Sequence, residues 1–453
     1  MKHQNQKRIA HISRHIGILS LLGLIAFDFE AEAQPVIVQP PQYSVPPSAL
    51  QEAQNNEMQV FDPAAAFLNQ LQEVNPYRWG PVTFRPSLSY SFLYGTGIQS
   101  SPGKSAATVE QTISPSFLFE VGSHWTLDYS PSWTFYSSRQ FQNSLNHMAT
   151  LSWGTSYEDW VVGFSQGYAR SDSPSVETGT QTDQETYSTA LNASYQFNDK
   201  ISLNMGLSQN LSYVGNGGSS TNLFGSFSSS KAWSTMEWLN YQFWPRLNAG
   251  IGVGAGYTIQ GGSPDSVNEQ YSARVSWRAT DKISFLLSGG LQDQQYLSAG
   301  ASDLVTPIFG ATIQYQPFEQ TRVSVSASRT VGTSFFQNQV TENTGVTADL
   351  NQRLLGKLNL DLNGGYSKTK YLSSTSLSNQ IGYGAGRNDN FYSFSARLTY
   401  SLLKRGTISA FYQYSENSSS QNKYLQFYQA NFSSQSAFSY TSNQIGFEIG
   451  YQF

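Results

Sequence analysis

The chain has 453 residues, of which only 12% are charged and 14% are aromatic, and it contains no cysteine. Soluble proteins typically carry about 25% charged residues, so the composition argues against an ordinary soluble enzyme, and the 27 Tyr, 28 Phe and 9 Trp argue against a disordered chain. The missing cysteine excludes disulfides, thiolate metal sites and a lipid-anchored amino-terminal cysteine.

Residues 1–33 have the three parts of a secretory signal peptide. A basic start precedes an apolar run at 16–27, and Ala31 and Ala33 follow at the spacing of a cleavage site. The run is too short to cross a bilayer as a helix, although an uncleaved anchor is the alternative. Removal takes four basic and three acidic side chains, leaving 26 − 4 = 22 basic and 30 − 3 = 27 acidic residues, a net charge of about −5. This balance does not indicate nucleic-acid binding.

Residues 34–79 are predicted to form a separate proline-rich segment. Pro35, Pro40 and Pro41 favour an extended tether, while Ser48 and Asp62 are candidate starts of short helices. The segment is either a flexible tether or a plug or docking element for a periplasmic partner or peptidoglycan.

From about residue 80 to 453, one unit repeats: a strand, a long polar loop, a strand and a tight turn. Gly, Asn, Asp and Pro supply the backbone angles that hairpin turns need. The eight predicted turns lie at 122–123, 158–159, 198–200, 245–246, 281–282, 317–319, 355–357 and 404–405. The longer polar connections include 95–108, 172–182, 259–268, 371–388 and 415–437. Eight turns and nine loops join 18 strands, with 16 as the alternative if 221–243 is misread.

The segments between these turns alternate apolar and polar residues with period two, which is typical of strands. The last strand is the clearest case, with Ile445, Phe447, Ile449, Tyr451 and Phe453 on one parity. It resembles the closing strand of a Gram-negative bacterial outer-membrane β-barrel, and residues 80–453 resemble the β-barrel porin families as a whole. The resemblance implies an all-β, transmembrane, antiparallel up-and-down β-barrel with short periplasmic turns and long extracellular loops. It also implies that Ile449, Tyr451 and Phe453 form the assembly signal for the barrel-assembly machinery.

The charged strand residues supply a test of this architecture, since a charge facing lipid near the bilayer centre costs about 2–4 kcal/mol. Nine charged residues have the polar parity and are predicted to line a lumen: Arg85, Glu120, Asp128, Arg274, Arg322, Asp349, Asp361, Arg397 and Glu448. Four are cationic and five anionic, which predicts mild selectivity, and the resemblance to porins implies opposed acidic and basic walls. The alternative is that these side chains only brace the interior.

Two features of the middle strands are less regular. Glu237 shares the parity of Leu239 and Tyr241, so it faces lipid unless a bulge near 235–238 reverses the parity. Asn248 begins a run of alternate glycines, 250 to 256, on the predicted inner face. The run either leaves room for an inserted loop or for the amino-terminal segment, or it supplies curvature and free volume.

The sequence offers no catalytic, metal or cofactor site. After the signal peptide, the histidines are His124, beside a short turn, and His147, near a loop end. They are expected at opposite ends of the barrel, so they cannot share a metal. Ser144 lies near His147 in sequence, but serine is abundant here and the match is weak.

An 18-stranded barrel is wide enough for an aqueous channel. The first hypothesis is therefore a porin-like outer-membrane channel for passive diffusion of small polar solutes. The alternatives are a barrel accessory to exopolysaccharide or surface-polymer export, motivated by the proline-rich segment, and a structural surface barrel. The expected partners are outer-membrane lipid and the assembly machinery, with homo-oligomerisation left open.

Overall fold

The computed structural model describes residues 77–101, 103–175, 177, 181–215, 229–297, 303–334, 339–373, 386–402, 404–420 and 438–453. The predicted signal peptide and residues 34–76 of the proline-rich segment lie outside these ranges, so the domain boundaries predicted there stay predictions. Among the described residues, no helix has both the length and the apolar character needed to cross a membrane.

The described chain is built from nineteen strands. They are β1 (Tyr77–Trp79), β2 (Val82–Ser101), β3 (Lys104–Val121), β4 (Trp125–Tyr136), β5 (Ser144–Tyr157), β6 (Trp160–Ser171), β7 (Gln184–Asn198), β8 (Ile201–Val214), β9 (Ser230–Trp244), β10 (Leu247–Gln260), β11 (Ser266–Arg278), β12 (Ile283–Tyr296), β13 (Leu304–Phe318), β14 (Thr321–Thr333), β15 (Gln339–Leu354), β16 (Leu358–Ser373), β17 (Asn388–Ser401), β18 (Gly406–Ser420) and β19 (Tyr440–Gln452).

Strands β2 to β19 form a closed antiparallel barrel. Each strand pairs with the next one in the chain, and β19 pairs with β2 from Asn443↔Thr96 to Gln452↔Ser87, which joins the two ends of the sheet. The predicted number of 18 strands is therefore confirmed. In the region 221–243, which decided between 18 and 16 strands, the described strand residues belong to β9, and β9 pairs in continuous register with β8.

The alternation seen in the sequence sorts the side chains between two faces. Large apolar residues of one parity are exposed on the outer face, among them Trp125, Leu127, Trp133, Leu398 and Phe447. Adjacent strands place such residues side by side, as in Phe447↔Phe92, whose ring centroids are 5.4 Å apart. Such an apolar outer face is suited to contact with hydrocarbon. The polar residues that alternate with it along each strand face the interior of the barrel.

One end of the barrel has short turns, as predicted. All eight turns lie where the sequence placed them, although β13 continues to Phe318 and shifts the sixth turn to residues 319–320. At the other end, several predicted loops are partly strand. The connection at 259–268 shrinks to 261–265, β16 and β17 extend into 371–388, and β18 extends into 415–437.

The predicted loop 95–108 was wrong. Strands β2 and β3 run through it as far as Ser101 and from Lys104. Pairing is irregular between Gly95 and Ile98, where Gly97 has φ +75° and a Cβ would overlap the carbonyl oxygen of Thr441. The glycine therefore serves a bulge that bends β2 against β19, and the polar composition of the segment concealed its strand character.

The short strand β1 lies at the seam between the barrel's two ends. It pairs with Val82–Phe84 of β2, just beyond the point at which β19 stops pairing with the same strand. Trp79 stacks on Phe84 at 5.8 Å, and the backbone N–H of Phe453 donates to the carbonyl of Pro86 at 3.0 Å. β1 thus covers an edge of β2 that the last strand leaves unpaired.

Candidate functional site

All nine charged residues predicted to line a lumen lie on the inner parity of their strands. The register places Arg85 opposite Leu118, Asp128 opposite Thr150, and Asp361 opposite Arg397, whereas the exposed large apolar residues occupy the other parity. Their placement is as predicted, while their role in conduction belongs to the proposal below.

Two arginines of this set form ion pairs on the inner face, one between the adjacent strands β2 and β3 and the other from β17 to β19 across β18. Arg85 Nη2 lies 3.3 Å from Glu120 Oε2, and Arg397 Nη1 donates to Glu448 Oε2 at 2.8 Å. The side chains of Arg397 and Glu448 remain 32% and 33% exposed, so water reaches this pair inside the barrel. The guanidinium of Arg397 also lies over the ring of Phe411, 5.2 Å from its centroid.

The inner aspartates are held by uncharged hydrogen-bond donors. Asp128 accepts from Ser116 at 3.3 Å and from Ser130 at 3.0 Å. Asp361 accepts a hydrogen bond from the amide of Asn351. In the same way Asp349 accepts from Asn363, and from Ser324 at 3.3 Å. These donors fix the carboxylates against the wall without neutralising their charge.

The charged residues are concentrated on one side of the barrel. Eight of the nine lie on the strands from β14 through β19 and on to β4, which we call the charged wall. The strands from β5 to β13, here called the small-residue wall, present mostly Ser, Asn, Gly and Thr inward, as in Ser202, Asn204, Gly206 and Ser208 of β8. The expectation of opposed acidic and basic walls was therefore wrong, because cations and anions lie together on one wall, where Arg85 pairs with Glu120 and Arg397 with Glu448.

Arg274 is the exception on the small-residue wall, and it is packed rather than solvated. It is only 7% exposed, and its guanidinium lies over the ring of Trp238 at 4.2 Å. Its Nε and Nη2 donate to Oδ1 of Asn240 at 3.1 and 2.7 Å. Trp238 is itself 3% exposed, so this cluster forms a solid ridge on the inner face.

The glycine run of β10 gives this ridge its space. A Cβ on Gly252 would lie 2.7 Å from two ring atoms of Trp238, and one on Gly254 would lie 2.7 Å from the sulfur of Met236. A Cβ on Gly250 would overlap the side-chain oxygen of Asn240. The space left by these glycines is therefore filled by side chains of the neighbouring strand β9.

Glu237 lies on the outer face, and the bulge suggested to reverse its parity does not exist. β9 pairs in unbroken register through this region, with Met205↔Glu237 on one side and Glu237↔Val253 on the other. Its neighbours of the same parity, Leu239 and Tyr241, are exposed on the outer face. The bulge predicted from the sequence was wrong, because unbroken pairing with β8 and β10 fixes which residues of β9 face outward.

Residues from several connections converge at the long-loop end of the barrel. Arg387, just before β17, is 1% exposed, with its guanidinium 3.7 Å from the ring centroid of Phe438 and 4.5 Å from that of Tyr371. Its Nε donates to both carboxylate oxygens of Asp389 at 2.9 Å. We call these four residues, with Glu177, the mouth cluster.

Glu177 comes from the far side of the opening. It belongs to the connection between β6 and β7, yet its backbone carbonyl accepts from Arg387 Nη1 at 3.1 Å and its Oε1 accepts from Ser334 Oγ at 2.6 Å. Ser334 follows β14, eight strands from β6 in a ring of 18, which is close to half the circumference. The connection between β6 and β7 therefore reaches across the opening and narrows it.

These features were predicted from the sequence only in part. The loop 172–182 was predicted, but Glu177 and Arg387 were not singled out, because their contact joins residues 210 positions apart. Trp238 was also not singled out. Its position in the sequence could have indicated it, because a large ring with inner parity on β9 faces the alternate glycines of β10. Most of the predicted loop 415–437, from residue 421 onward, lies outside the described residues.

The histidines give no sign of catalysis or metal binding. His124 Nδ1 lies 3.1 Å from the carbonyl of Gly154 at the short-turn end, while His147 stacks on Tyr129 at the outer face, 6.2 Å between centroids. Ser144 has the opposite parity in β5 and therefore faces inward, away from His147. Within the described ranges, no three His, Asp or Glu side chains converge as metal ligands would.

The three residues predicted as an assembly signal share the outer face of β19. Ile449, Tyr451 and Phe453 are all exposed, and the rings of Tyr451 and Phe453 meet edge to face at 5.1 Å. An accessible aromatic ending is what recognition by another protein requires, and that recognition stays a prediction.

One family model matches part of the chain, and solved structures resemble it at low identity. Residues 260–452, less than half of the chain, match the family model described as "Putative beta-barrel porin 2". No curated protein matches the sequence. Among solved structures, OccK11 (OpdR) of Pseudomonas aeruginosa is 12% identical with a TM-score of 0.40, covering 82% of this chain and 96% of that one. The FrpB iron transporter of Neisseria meningitidis is 10% identical with a TM-score of 0.43, covering 82% and 81%.

Proposed function

The chain is a closed 18-strand β-barrel that resembles the β-barrel porins, and from that premise we propose that it is an outer-membrane channel for passive diffusion of small polar solutes. The observation that carries the proposal is the partly solvated ion pair of Arg397 and Glu448 on the inner face of a barrel whose outer face exposes apolar side chains. A barrel of this strand number leaves an aqueous interior, and water at its inner charges supports a solvated bore.

The mouth cluster sets the expected constriction. The short-turn end would face the periplasm and the long-loop end the exterior, as in bacterial barrels. Arg387 holds the β6–β7 connection across that outer opening through Glu177. Solutes entering from outside would therefore meet the narrowest point first and the charged wall second.

Planar-bilayer recording of the purified full chain tests the proposal. We expect stepwise conductance, and liposomes carrying the protein should swell in small sugars and amino acids. The Arg387→Ala variant should conduct more than the wild type, because the connection loses its anchor. Arg405→Ala, at a turn on the opposite end, removes the same charge and should leave conductance unchanged.

Absence of conductance from both the wild type and Arg387→Ala, with each protein showing the heat-modifiable gel migration of a folded barrel, would overturn the channel. The export alternative was motivated by residues 34–76, which lie outside the described ranges. Loss of surface polymer in a deletion strain with normal solute uptake would favour it.

A further inference from the structure

Four charged side chains lie together on the outer face of β14–β16, toward the long-loop end. They are Arg329 on β14, Glu342 on β15, and Lys368 and Lys370 on β16. Each has the parity of an exposed apolar residue on its own strand, in the order Val325, Val346 and Tyr366. We call the four residues the basic cluster, because it contains three cations and one carboxylate.

Glu342 holds two of the cations in place. Its Oε2 lies 2.7 Å from Arg329 Nη2, and its Oε1 lies 3.0 Å from Lys370 Nζ. The side chain of Glu342 is 9% exposed, whereas those of Arg329 and Lys370 are 26% and 41% exposed. Because Glu342 and Lys370 are in register, the pairing also brings the guanidinium of Arg329 to the level of Lys370. One carboxylate cannot neutralise three cations, so the cluster has a net positive charge.

The cluster lies beyond the aromatic residues that mark the edge of the membrane. Tyr366 and Tyr392 face each other across β16 and β17, with ring centroids 5.0 Å apart. Such outward tyrosines are typical of the interface between hydrocarbon and water. Lys368 and Lys370 follow Tyr366 by two and four residues, about 7 and 13 Å along the strand at 3.3 Å per residue. Their ammonium groups are therefore expected at the level of the lipid headgroups.

The groups beside the lysines are suited to phosphate oxygens. Asn390 of β17 is in register with Lys368, and its Oδ1 accepts from the hydroxyl of Tyr366 at 3.0 Å. The amide nitrogen of Asn390 therefore stays available as a donor next to Lys368. Lys368 is itself exposed and forms no ion pair with any described residue. Ammonium and amide groups placed side by side are the kinds of donor that bind phosphate.

Other parts of the outer face near this end carry a different charge. Arg170 on β6 lies between two carboxylates, 3.1 Å from Asp183 and 4.0 Å from Glu185. On β11 and β12, the outward Glu269 and Asp293 are in direct register with each other. Neither arc has a net positive charge, so the basic cluster distinguishes β14–β16 from them.

From this arrangement we infer that the basic cluster binds the phosphate group of an anionic membrane lipid. The phosphate neutralises the excess positive charge, and the acyl chains lie against apolar side chains nearer the bilayer centre, such as Val346 and Phe394. A free phosphate ion gains only the first of these contacts, so a lipid fits the site better. The inference needs only that the outer face meets lipid, and it does not depend on conduction.

Native mass spectrometry of the purified full chain, released from detergent micelles, tests the inference. Phosphatidic acid is the probe, and phosphatidylcholine with the same acyl chains is the zwitterionic control. The wild type should retain severalfold more phosphatidic acid than phosphatidylcholine, and this excess should fall as the ionic strength rises. The double variant Lys368→Gln/Lys370→Gln should lose the excess. Equal retention of the two lipids by the wild type, or an unchanged excess in the double variant, would overturn the inference.

The matched control is Arg170→Gln/Lys231→Gln, which removes two cations from the outer face at the same end of β6 and β9. Arg170 is paired with carboxylates, and Lys231 lies over the ring of Tyr213 at 5.9 Å, so this variant should keep the phosphatidic acid. An equal loss in both double variants would mean that retention follows overall charge, and the inference would fail. Displacement of the lipid by an equal concentration of inorganic phosphate would show a site for free anions instead. Heat-modifiable gel migration confirms that each variant is folded.

Discussion

The charged wall and the small-residue wall treat charged side chains differently, although both are made of the same kind of strand. On the charged wall, the inner charges Arg397 and Glu448 pair with each other and stay partly exposed to water, while the outer face is apolar. On the small-residue wall, the inner face buries Arg274 against Trp238, and the outer face carries Glu237. The difference shows that a barrel can be solvent-lined along one arc and packed along the other, since each strand faces a different pair of neighbours.

The largest effect is expected where the small-residue wall is packed. Gly252→Ala would place a Cβ 2.7 Å from the buried ring of Trp238, which is held under Arg274 and cannot move cheaply. Overpacking of this kind costs about 1–3 kcal/mol of unfolding free energy. Urea titration in lipid vesicles, followed by tryptophan fluorescence, measures the change.

Gly163→Ala is the control for that experiment. It lies on the inner parity of β6, and its nearest new contact would be an ordinary 3.8 Å to the carbonyl of Trp153. Equal losses for the two variants would mean that the packed ridge has no special stability, and the distinction between the two walls would fail.

The next effect concerns the charged wall. Arg397→Met leaves Glu448 and Asp361 without their cation, so the channel should shift toward cation selectivity, whereas Glu448→Gln should shift it toward anions. Reversal potentials in a salt gradient measure both. Stability should change by no more than about 1 kcal/mol, because partly exposed ion pairs contribute little.

The Arg274→Met variant tests whether a charge on the small-residue wall affects selectivity as a charge on the charged wall does. Arg274 is buried against Trp238 and Asn240, so its loss should change selectivity less than the loss of Arg397. A larger shift in reversal potential for Arg274→Met would show that the small-residue wall, rather than the charged wall, meets the permeating ions.

A smaller effect is expected from salt. The screening length falls from about 10 Å at 0.1 M to about 3 Å at 1 M ionic strength. The selectivity difference between Arg397→Met and the wild type should therefore shrink as salt rises. A difference that is constant across this range would indicate a change of pore shape instead of charge.

The smallest effect is expected from pH at the mouth. Burial, with a lesser contribution from Asp183, raises the pKa of Asp172 in the β6–β7 connection above its usual value. The folded connection therefore binds the Asp172 proton more tightly than the unfolded chain does. Its stability is greatest at low pH and falls as the pH rises through the raised pKa of Asp172. Because this connection narrows the opening, closures of the channel should become rarer as the pH rises through that range. In the Asp172→Asn variant, the frequency of closures should not depend on pH.

Much of the fold could be predicted from the sequence because its determinants are local. Period-two alternation fixes which residues face out, and turn residues such as Gly122 and Pro245 fix where strands reverse. Strand number and the inner parity of the nine charges follow from these alone. Loop 95–108 was misjudged, because its polar composition matches both a loop and a strand end that carries a bulge at Gly97.

What the sequence by itself determined was the alternation of faces, the eight turns and hence an 18-strand barrel, since each depends on residues within one strand or one hairpin. Only the closed tertiary structure decided which walls oppose each other and what fills them. Closure brings Glu177 to Arg387, and pairing on both edges of β9 holds Glu237 outward and Trp238 over Gly252. These contacts depend on the ring as a whole, so no local pattern encodes them.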